Sequence, residues 1–217
     1  MRVISVIGIT DSGKTTTIEN IIKELKRRGY TVGTVKEVHF HNFKMDVEGT
    51  NTDRHRKAGA QLVTARGEYE TDILYQEKLS IHKILSFYTQ DFVILEGVRD
   101  TSVPKILTAH DIKGIEDRLD ETVFAISGRI SAQTAQYKGL PAINAMTDVE
   151  KLVDLIEERA CGFFPDRKEA CFKVTVNKRE ISVSLSAQKL LDSAVEALLG
   201  ELDGYWENGE IEICIRK

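Results

Sequence analysis

Residues 8–15, GITDSGKT, have the residue types and spacing needed to hold a phosphate group. They fit the pattern G-x-x-x-x-G-K-[ST] completely, between an apolar β-branched run and a helical pattern, which is the context of a P-loop. Backbone N–H groups and the N-terminus of the following helix attract the anion, and glycines allow its close approach. We therefore predict nucleotide contacts from Gly8, Thr10, Asp11, Ser12, Gly13, Lys14, Thr15 and Thr16.

Magnesium is expected beside the phosphates, held by hard oxygen ligands. The hydroxyl of Thr15 is in the position that coordinates Mg²⁺ in P-loops, and Lys14 supplies a positive charge to the β and γ phosphates. Residues 92–97, FVILEG, are an apolar run that ends in an acid and a glycine. This predicts Glu96 at the carboxyl end of a buried strand, where ligands bind in open α/β sheets. Lys14 and Glu96 are the predicted catalytic residues, and Thr15, Glu96 and Asp46 the predicted metal site.

The elements around these residues follow an alternating pattern. Residues 2–7 and 31–35 predict buried strands, and residues 14–28 carry apolar side chains at helical spacing. Strand, helix and strand within about 35 residues form a βαβ unit, which requires parallel pairing. Residues 37–57 are predicted to be a long irregular loop. Further strands are predicted at 61–65, 92–95, 105–108, 122–126 and 141–144, and helices at 77–88 and 148–159, with Asp148 as N-cap of the second.

The chain is predicted to divide near residue 160. Residues 1–160 form an α/β nucleotide-binding domain with a mainly parallel sheet flanked by helices. Residues 161–217 form a small α+β region with the order ββαβ. Its two first strands, 171–176 and 180–185, form a hairpin, followed by a helix from Ser186 and a strand at 210–215.

Composition excludes several classes of protein. The 217 residues contain 30 Lys and Arg against 34 Asp and Glu, which gives a net charge of -4. This composition argues against an extended positive surface that would bind nucleic acid or an anionic membrane. No apolar run has the length of about 18 residues that a membrane span needs. Three separated cysteines, Cys161, Cys171 and Cys214, argue against a disulfide framework. We expect a cytoplasmic protein.

Several short motifs follow one another along the chain: the P-loop, the segment with Lys36, His39, Asp46 and Gly49, and residues 56–60 (RKAGA), 95–97 (LEG), 104–106 (PKI), 139–141 (GLP) and 148–150 (DVE). With these motifs in this order, the sequence resembles the MobB family, the molybdopterin-guanine dinucleotide biosynthesis proteins B, over about residues 1–160. Two segments differ from the family pattern: residues 36–40, KEVHF, where the family has KHTHH, and residues 46–51, DVEGTN, where it has D-x-P-G-K-D.

This resemblance implies a homodimeric P-loop protein that binds GTP with Mg²⁺ and hydrolyses it weakly. It also implies an adapter role beside a guanylyltransferase that attaches GMP to molybdopterin, with a molybdo- or tungsto-enzyme as a further partner. A guanine preference follows from the resemblance alone.

Two alternatives remain open from the residues. A small-molecule kinase could use the same P-loop, but such kinases carry an arginine-rich lid, and Arg118 and Arg129 stand far apart in the sequence. His39 and His41, with Asp46, could instead bind a transition metal. Since no arginine finger is evident, we expect the isolated protein to hydrolyse GTP slowly. The loop with Asp46, Arg54 and Arg56 would complete the site only when a partner orders it.

Overall fold

The computed structural model describes residues 1–40, 43–160, 162, 174–176 and 179–181. Its centre is a parallel sheet of five strands in the order β2-β5-β1-β6-β7, which confirms the predicted α/β fold. Because the strands are parallel, their carboxyl ends lie at one edge of the sheet. The strands are β1 (Arg2–Gly8), β2 (Val32–Lys36), β5 (Phe92–Glu96), β6 (Lys105–Thr108) and β7 (Val123–Ser127).

Helices cover both faces of this sheet. On one face, α1 (Lys14–Arg27) and α5 (Val149–Arg159) pack their apolar stripes against alternate residues of β1 and β5, including Ile4 and Ile94. On the other face, Val3 and Leu95 pack with α3 (Ile81–Leu85). The alternation of β1 side chains between two apolar layers explains why most of its residues are apolar.

Four elements lie outside the main sheet, and the sequence did not predict all of them. Within the segment that we predicted to be irregular, α2 (Asn51–Lys57) begins at Thr50, whose hydroxyl accepts a hydrogen bond from the Asp53 N–H. The predicted strand at 61–65 is present as β3 (Leu62–Arg66), but it pairs in an antiparallel hairpin with β4 (Thr71–Tyr75). A short helix, α4 (Ile112–Glu116), follows β6.

Two predicted elements were too long. The helix predicted at 77–88 is only α3, because the Ser80 hydroxyl caps its first turn by accepting from the Lys83 N–H. The strand predicted at 141–144 is the two-residue β9 (Leu140–Pro141), which pairs with β8 (Gln136–Tyr137) after a 3₁₀ turn at Arg129–Ala132. Asp148 precedes α5 as predicted, but its side chain accepts from Lys151 and Thr147 and makes no cap.

The predicted C-terminal hairpin is present: β10 (Val174–Val176) pairs antiparallel with β11 (Arg179–Ile181). The helix predicted from Ser186 and the strand predicted at 210–215 lie outside the described residues. The division into residues 1–160 and 161–217 therefore stays a prediction.

Candidate functional site

The P-loop backbone turns sharply between β1 and α1, and two of its glycines have no substitute. Gly8 has φ +151°, and a Cβ there would lie 2.2 Å from the carbonyl oxygen of Thr108. Gly13 has φ +99°, a left-handed conformation that favours glycine. We predicted that both glycines allow a close approach of backbone groups, and the structure shows such an approach within the protein itself.

Ser12 supports the loop from below. Its side chain is buried, and its hydroxyl donates to the Ile9 carbonyl at 2.8 Å and shares a hydrogen bond of 2.7 Å with the Thr108 hydroxyl. Thr108 in turn donates to the Ile7 carbonyl at 3.1 Å. These bonds fix the loop to the end of β6. The buried side chain of Ser12 therefore stabilises the loop.

Lys14 is folded back over the loop. Its ammonium donates to the carbonyl oxygens of Gly8 at 3.0 Å and Ile9 at 2.5 Å. Burial lowers the pKa of Lys14, with Glu96 acting in the opposite direction and the positive charges of Lys36, Arg99 and Arg118 lowering it further. An anion bound at this point would relieve the repulsion among these cations.

Glu96 lies at the end of β5, opposite the start of α1. Its Oε1 accepts a hydrogen bond from the Thr15 hydroxyl at 3.2 Å and one from the Lys36 ammonium at 2.6 Å. The parallel register pairs Lys36 directly with Glu96, which explains the second contact. The fold thus brings the predicted residues Lys14, Thr15 and Glu96 to one place.

An open cleft of about 920 Å³ surrounds these groups, within the range of small-ligand sites. It runs from the P-loop past the ends of β2 and β5 to the segments after β7 and before α5. The cleft also gathers three arginines that are far apart in the sequence: Arg99, Arg118 and Arg129. Besides the P-loop, the lining includes Lys36, Glu37, His39, Glu96, Arg99, Arg118, Gly128, Arg129 and residues 144–146.

Asp46, the third predicted metal ligand, does not line the cleft in this conformation. Its Oδ1 accepts from the hydroxyls of Thr50 and Thr52, at 3.0 Å and 2.8 Å, beside the start of α2. Two basic residues of α2, Arg56 and Lys57, are also engaged, because both pair with the buried carboxylate of Asp53. Bringing Asp46 or Arg56 to the phosphates would require this segment to rearrange.

The residues present suit magnesium better than a transition metal. Among the described residues, no group of three or more His, Cys, Asp or Glu side chains is placed to hold a metal ion. His41, half of the alternative His-x-His pair, lies outside the described residues. Thr15 and Glu96 offer two hard oxygens 3.2 Å apart, and Mg²⁺ in such sites takes its remaining ligands from phosphate and water.

Some residues at the cleft were not predicted from the sequence to belong to the site. Thr108 and Gly128 support the loop, and Arg118 lines the cleft, yet none belongs to a recognised motif. A signal was available for the first two, since each lies at or just after the end of a predicted parallel strand, where ligands collect. Arg118 follows α4, which had not been predicted.

Comparison with known proteins decides the family. The model of the family described as molybdopterin guanine dinucleotide synthesis protein B, MobB, matches residues 3–128. The chain belongs to the MobB family. A relative from Methanocaldococcus jannaschii is 35% identical over 133 residues, covering 58% of this chain and 55% of the relative. The chain therefore spans little more than half the length of that relative.

Two further comparisons concern a second relative and a solved structure. The molybdopterin-guanine dinucleotide biosynthesis adapter protein of Haemophilus influenzae is 28% identical over 130 residues, covering 57% of this chain and 72% of the relative. The crystal structure of Bacillus subtilis MobB superposes with a TM-score of 0.61 at 24% identity, covering 75% of this chain and all of that one. This second likeness concerns the fold. Within the described residues, no helix combines the length and apolarity needed to cross a membrane.

Proposed function

We propose that this protein is a GTP-binding adapter in molybdopterin guanine dinucleotide biosynthesis. The observation that carries the proposal is the folded P-loop of a MobB family member, with Lys14, Thr15 and Glu96 together at its mouth. The Haemophilus influenzae relative is named an adapter protein of that pathway. The nucleotide is GTP, and its guanylyltransferase partner attaches GMP to molybdopterin in the cytoplasm.

In this proposal each residue of the site has a chemical task. The loop N–H groups of Gly8 to Thr16 hold the phosphates, and Lys14 leaves the carbonyls of Gly8 and Ile9 to contact the β and γ phosphates. Thr15 and Glu96 would hold Mg²⁺, and the ion would supply positive charge beside the phosphate oxygens. Asp46 would join them only after the segment before α2 has moved.

Hydrolysis by the isolated protein should be slow. The described cleft presents cations and two oxygen ligands suited to magnesium, yet Arg56 is held by Asp53 and Asp46 by two threonines. A guanylyltransferase, or the second subunit of a homodimer, would order this segment by binding its closed form more tightly than its open form. A molybdo- or tungsto-enzyme would act downstream of the same adapter. The family assignment lends no support to a small-molecule kinase.

The proposal is tested by steady-state GTP hydrolysis without any phosphoryl acceptor. The assay compares wild type with Arg56→Ala, each with and without the guanylyltransferase of its host. Arg66→Ala serves as control, because Arg66 is exposed on β3 and does not line the cleft. We expect slow turnover by the isolated wild type and acceleration by the partner that Arg56→Ala reduces. Fast turnover by the isolated chain, or no effect of the partner, would contradict the proposed partner-dependent ordering.

A pulldown from the host in the GTP-bound and GDP-bound states tests the adapter role. Recovery of the guanylyltransferase in a nucleotide-dependent manner is the expected result. Binding of ATP in preference to GTP by calorimetry would overturn the nucleotide assignment.

A further inference from the structure

The cleft carries more positive charge than its own acids neutralise. Three acids line it, and two of them are already paired: Glu96 with Lys36 and Glu37 with Lys78. The remaining acid is Asp11. The cations that line the cleft are Lys14, Lys36, Arg99, Arg118 and Arg129. A ligand with several negative charges close together suits this surplus.

Among these cations, Arg118 is the one whose side chain has a buried donor without a hydrogen-bond partner in the described residues. Its Nε is buried without a hydrogen-bond partner in the part of the chain that the structure describes. Its one ion pair there joins Nη1 to Oδ2 of the neighbouring Asp117 at 3.9 Å, too long for a hydrogen bond. By contrast, Arg28 makes ion pairs of 2.6 to 2.8 Å with three acids. A buried N–H donor without a partner costs free energy, unless a bound ligand accepts its hydrogen bond.

The backbone that carries Arg118 is fixed beside the P-loop. Asp111 caps α4 by accepting from the Gly114 N–H at 2.7 Å, and Ile115 anchors the helix in the core. The Arg118 N–H then donates to the Ile115 carbonyl at 3.0 Å. Just before the helix, the His110 imidazole lies 3.1 Å from the Thr10 carbonyl, which ties this segment to the tip of the loop. Arg118 is thus presented to the cleft by a preorganised element.

We propose that Arg118 is a direct ligand of the terminal phosphate groups of the bound nucleotide, supplied in cis. This inference rests on the proposed function, because it requires a nucleotide in the P-loop. A guanidinium suits this place because its planar fork can donate two hydrogen bonds to one phosphate. Lys14 of the P-loop is expected at the β and γ phosphates, and Arg118 lines the same cleft as Lys14, so we assign Arg118 to that end of the ligand.

Calorimetric titration tests the inference with three probes: GTP, GMP and inorganic tripolyphosphate, each in the presence of Mg²⁺. The variants are Arg118→Gln, which removes the charge, and Arg118→Lys, which keeps the charge without the fork. Arg66→Gln is the matched control, because Arg66 is exposed on β3, away from the cleft. Thermal melting of each variant checks the fold.

We expect Arg118→Gln to weaken binding of GTP and tripolyphosphate by about 10- to 100-fold, the loss of one or two charge-assisted bonds. Binding of GMP should change by less than about threefold, Arg118→Lys should lie between, and Arg66→Gln should match wild type. If the Arg118→Gln variant has a lower melting temperature than wild type, the Arg118→Lys variant is used instead. We expect it to lose several-fold in affinity for GTP and tripolyphosphate, but not for GMP.

Unchanged affinity for GTP and tripolyphosphate in a folded Arg118→Gln variant would overturn the inference, as would an equal loss for GMP. Tripolyphosphate separates this inference from the proposed function. If wild type binds tripolyphosphate but not GTP, the nucleotide assignment fails, and the tripolyphosphate arm still decides whether Arg118 is a phosphate ligand.

Discussion

The ammonium of Lys36 lies 2.6 Å from Oε1 of Glu96, the same oxygen that accepts the Thr15 hydroxyl. Residue-by-residue pairing of β2 with β5 creates this contact, because Lys36 and Glu96 are register partners at the ends of the two strands. The ammonium is a single positive charge where a divalent cation is proposed. Magnesium would therefore have to displace the Lys36 ammonium from Glu96. Because Mg²⁺ also takes ligands from substrate phosphates, we expect its affinity for this place to depend on a bound nucleotide.

We predict that Glu96→Gln keeps the fold and weakens the magnesium dependence of GTP binding. The amide can still accept a hydrogen bond, but it lacks the charge that holds the metal. The measurement is a Mg²⁺ titration of GTP affinity. Glu37→Gln is the control, since Glu37 lines the same cleft but is paired with Lys78. Overlapping Mg²⁺ curves for Glu96→Gln and wild type would rule out Glu96 as a metal ligand.

Lys14→Ala is predicted to lose most of the GTP affinity while the domain stays folded. Lys14 contacts only loop carbonyls within the described residues, and the charge-assisted bonds that it would make to phosphate contribute roughly 1.5–3 kcal/mol each. Calorimetry gives the affinity and thermal melting the stability. Lys23→Ala, an exposed lysine on the same helix, should match wild type. Equal GTP affinities of Lys14→Ala and Lys23→Ala would mean that the P-loop is not the binding site.

The local sequence was sufficient to predict the P-loop, the strand that ends at Glu96 and the first helix. These features depend on short-range patterns: a complete motif, a buried apolar run, and apolar side chains three and four residues apart. Glu96 and Thr15 could be placed together because parallel strands end at one edge.

Sequence could not show which strands are neighbours. The Lys36 to Glu96 pair depends on β2 lying beside β5, about 60 residues later in the chain. In the same way, the cleft position of Arg118 depends on the packing of α4, whose five residues are too few for a periodic signal. The hairpin of β3 and β4 has a similar origin, because strand propensity does not reveal whether a strand joins the main sheet.

We predict a stability loss in acid that depends on Glu24. Hydrogen bonds from Arg27, and then from Arg28, lower the pKa of the Glu24 carboxyl from 4.5 to about 2, against the effect of burial. A lowered pKa means that the carboxylate stabilises the fold fully above about pH 4.5, and that this stabilisation disappears as the pH falls towards 2. Glu24→Gln should be less stable than wild type at pH 7, and the difference should shrink below pH 4.5.

Urea unfolding between pH 3 and pH 7 measures this effect. Glu19→Gln is the control, because Glu19 is exposed on the same helix. Its free energy of unfolding should follow that of wild type at every pH. A constant gap between Glu24→Gln and wild type across the range would show that the ion pairs of Glu24 with Arg27 and Arg28 do not cause the acid sensitivity.

The last prediction concerns Gly128, which lies just after β7 and against the back of the P-loop. A Cβ at this position would lie 2.2 Å from the carbonyl oxygen of Ser12, and the residue has φ +79°. Gly128→Ala therefore adds two costs: a left-handed backbone, of about 1–2 kcal/mol, and a clash that must displace the loop. Gly139→Ala separates these two costs, because Gly139 has φ +81° but a Cβ there would meet nothing within 4 Å.

We expect Gly139→Ala to lose only the stability that the backbone strain explains and to bind GTP as wild type does. Gly128→Ala should lose more stability and at least tenfold in GTP affinity, because the Ser12 carbonyl also accepts the Arg129 N–H and cannot move alone. Thermal melting and calorimetry on both variants make the comparison. If the two alanine variants have the same GTP affinity, the contact between Gly128 and Ser12 does not control the shape of the phosphate site.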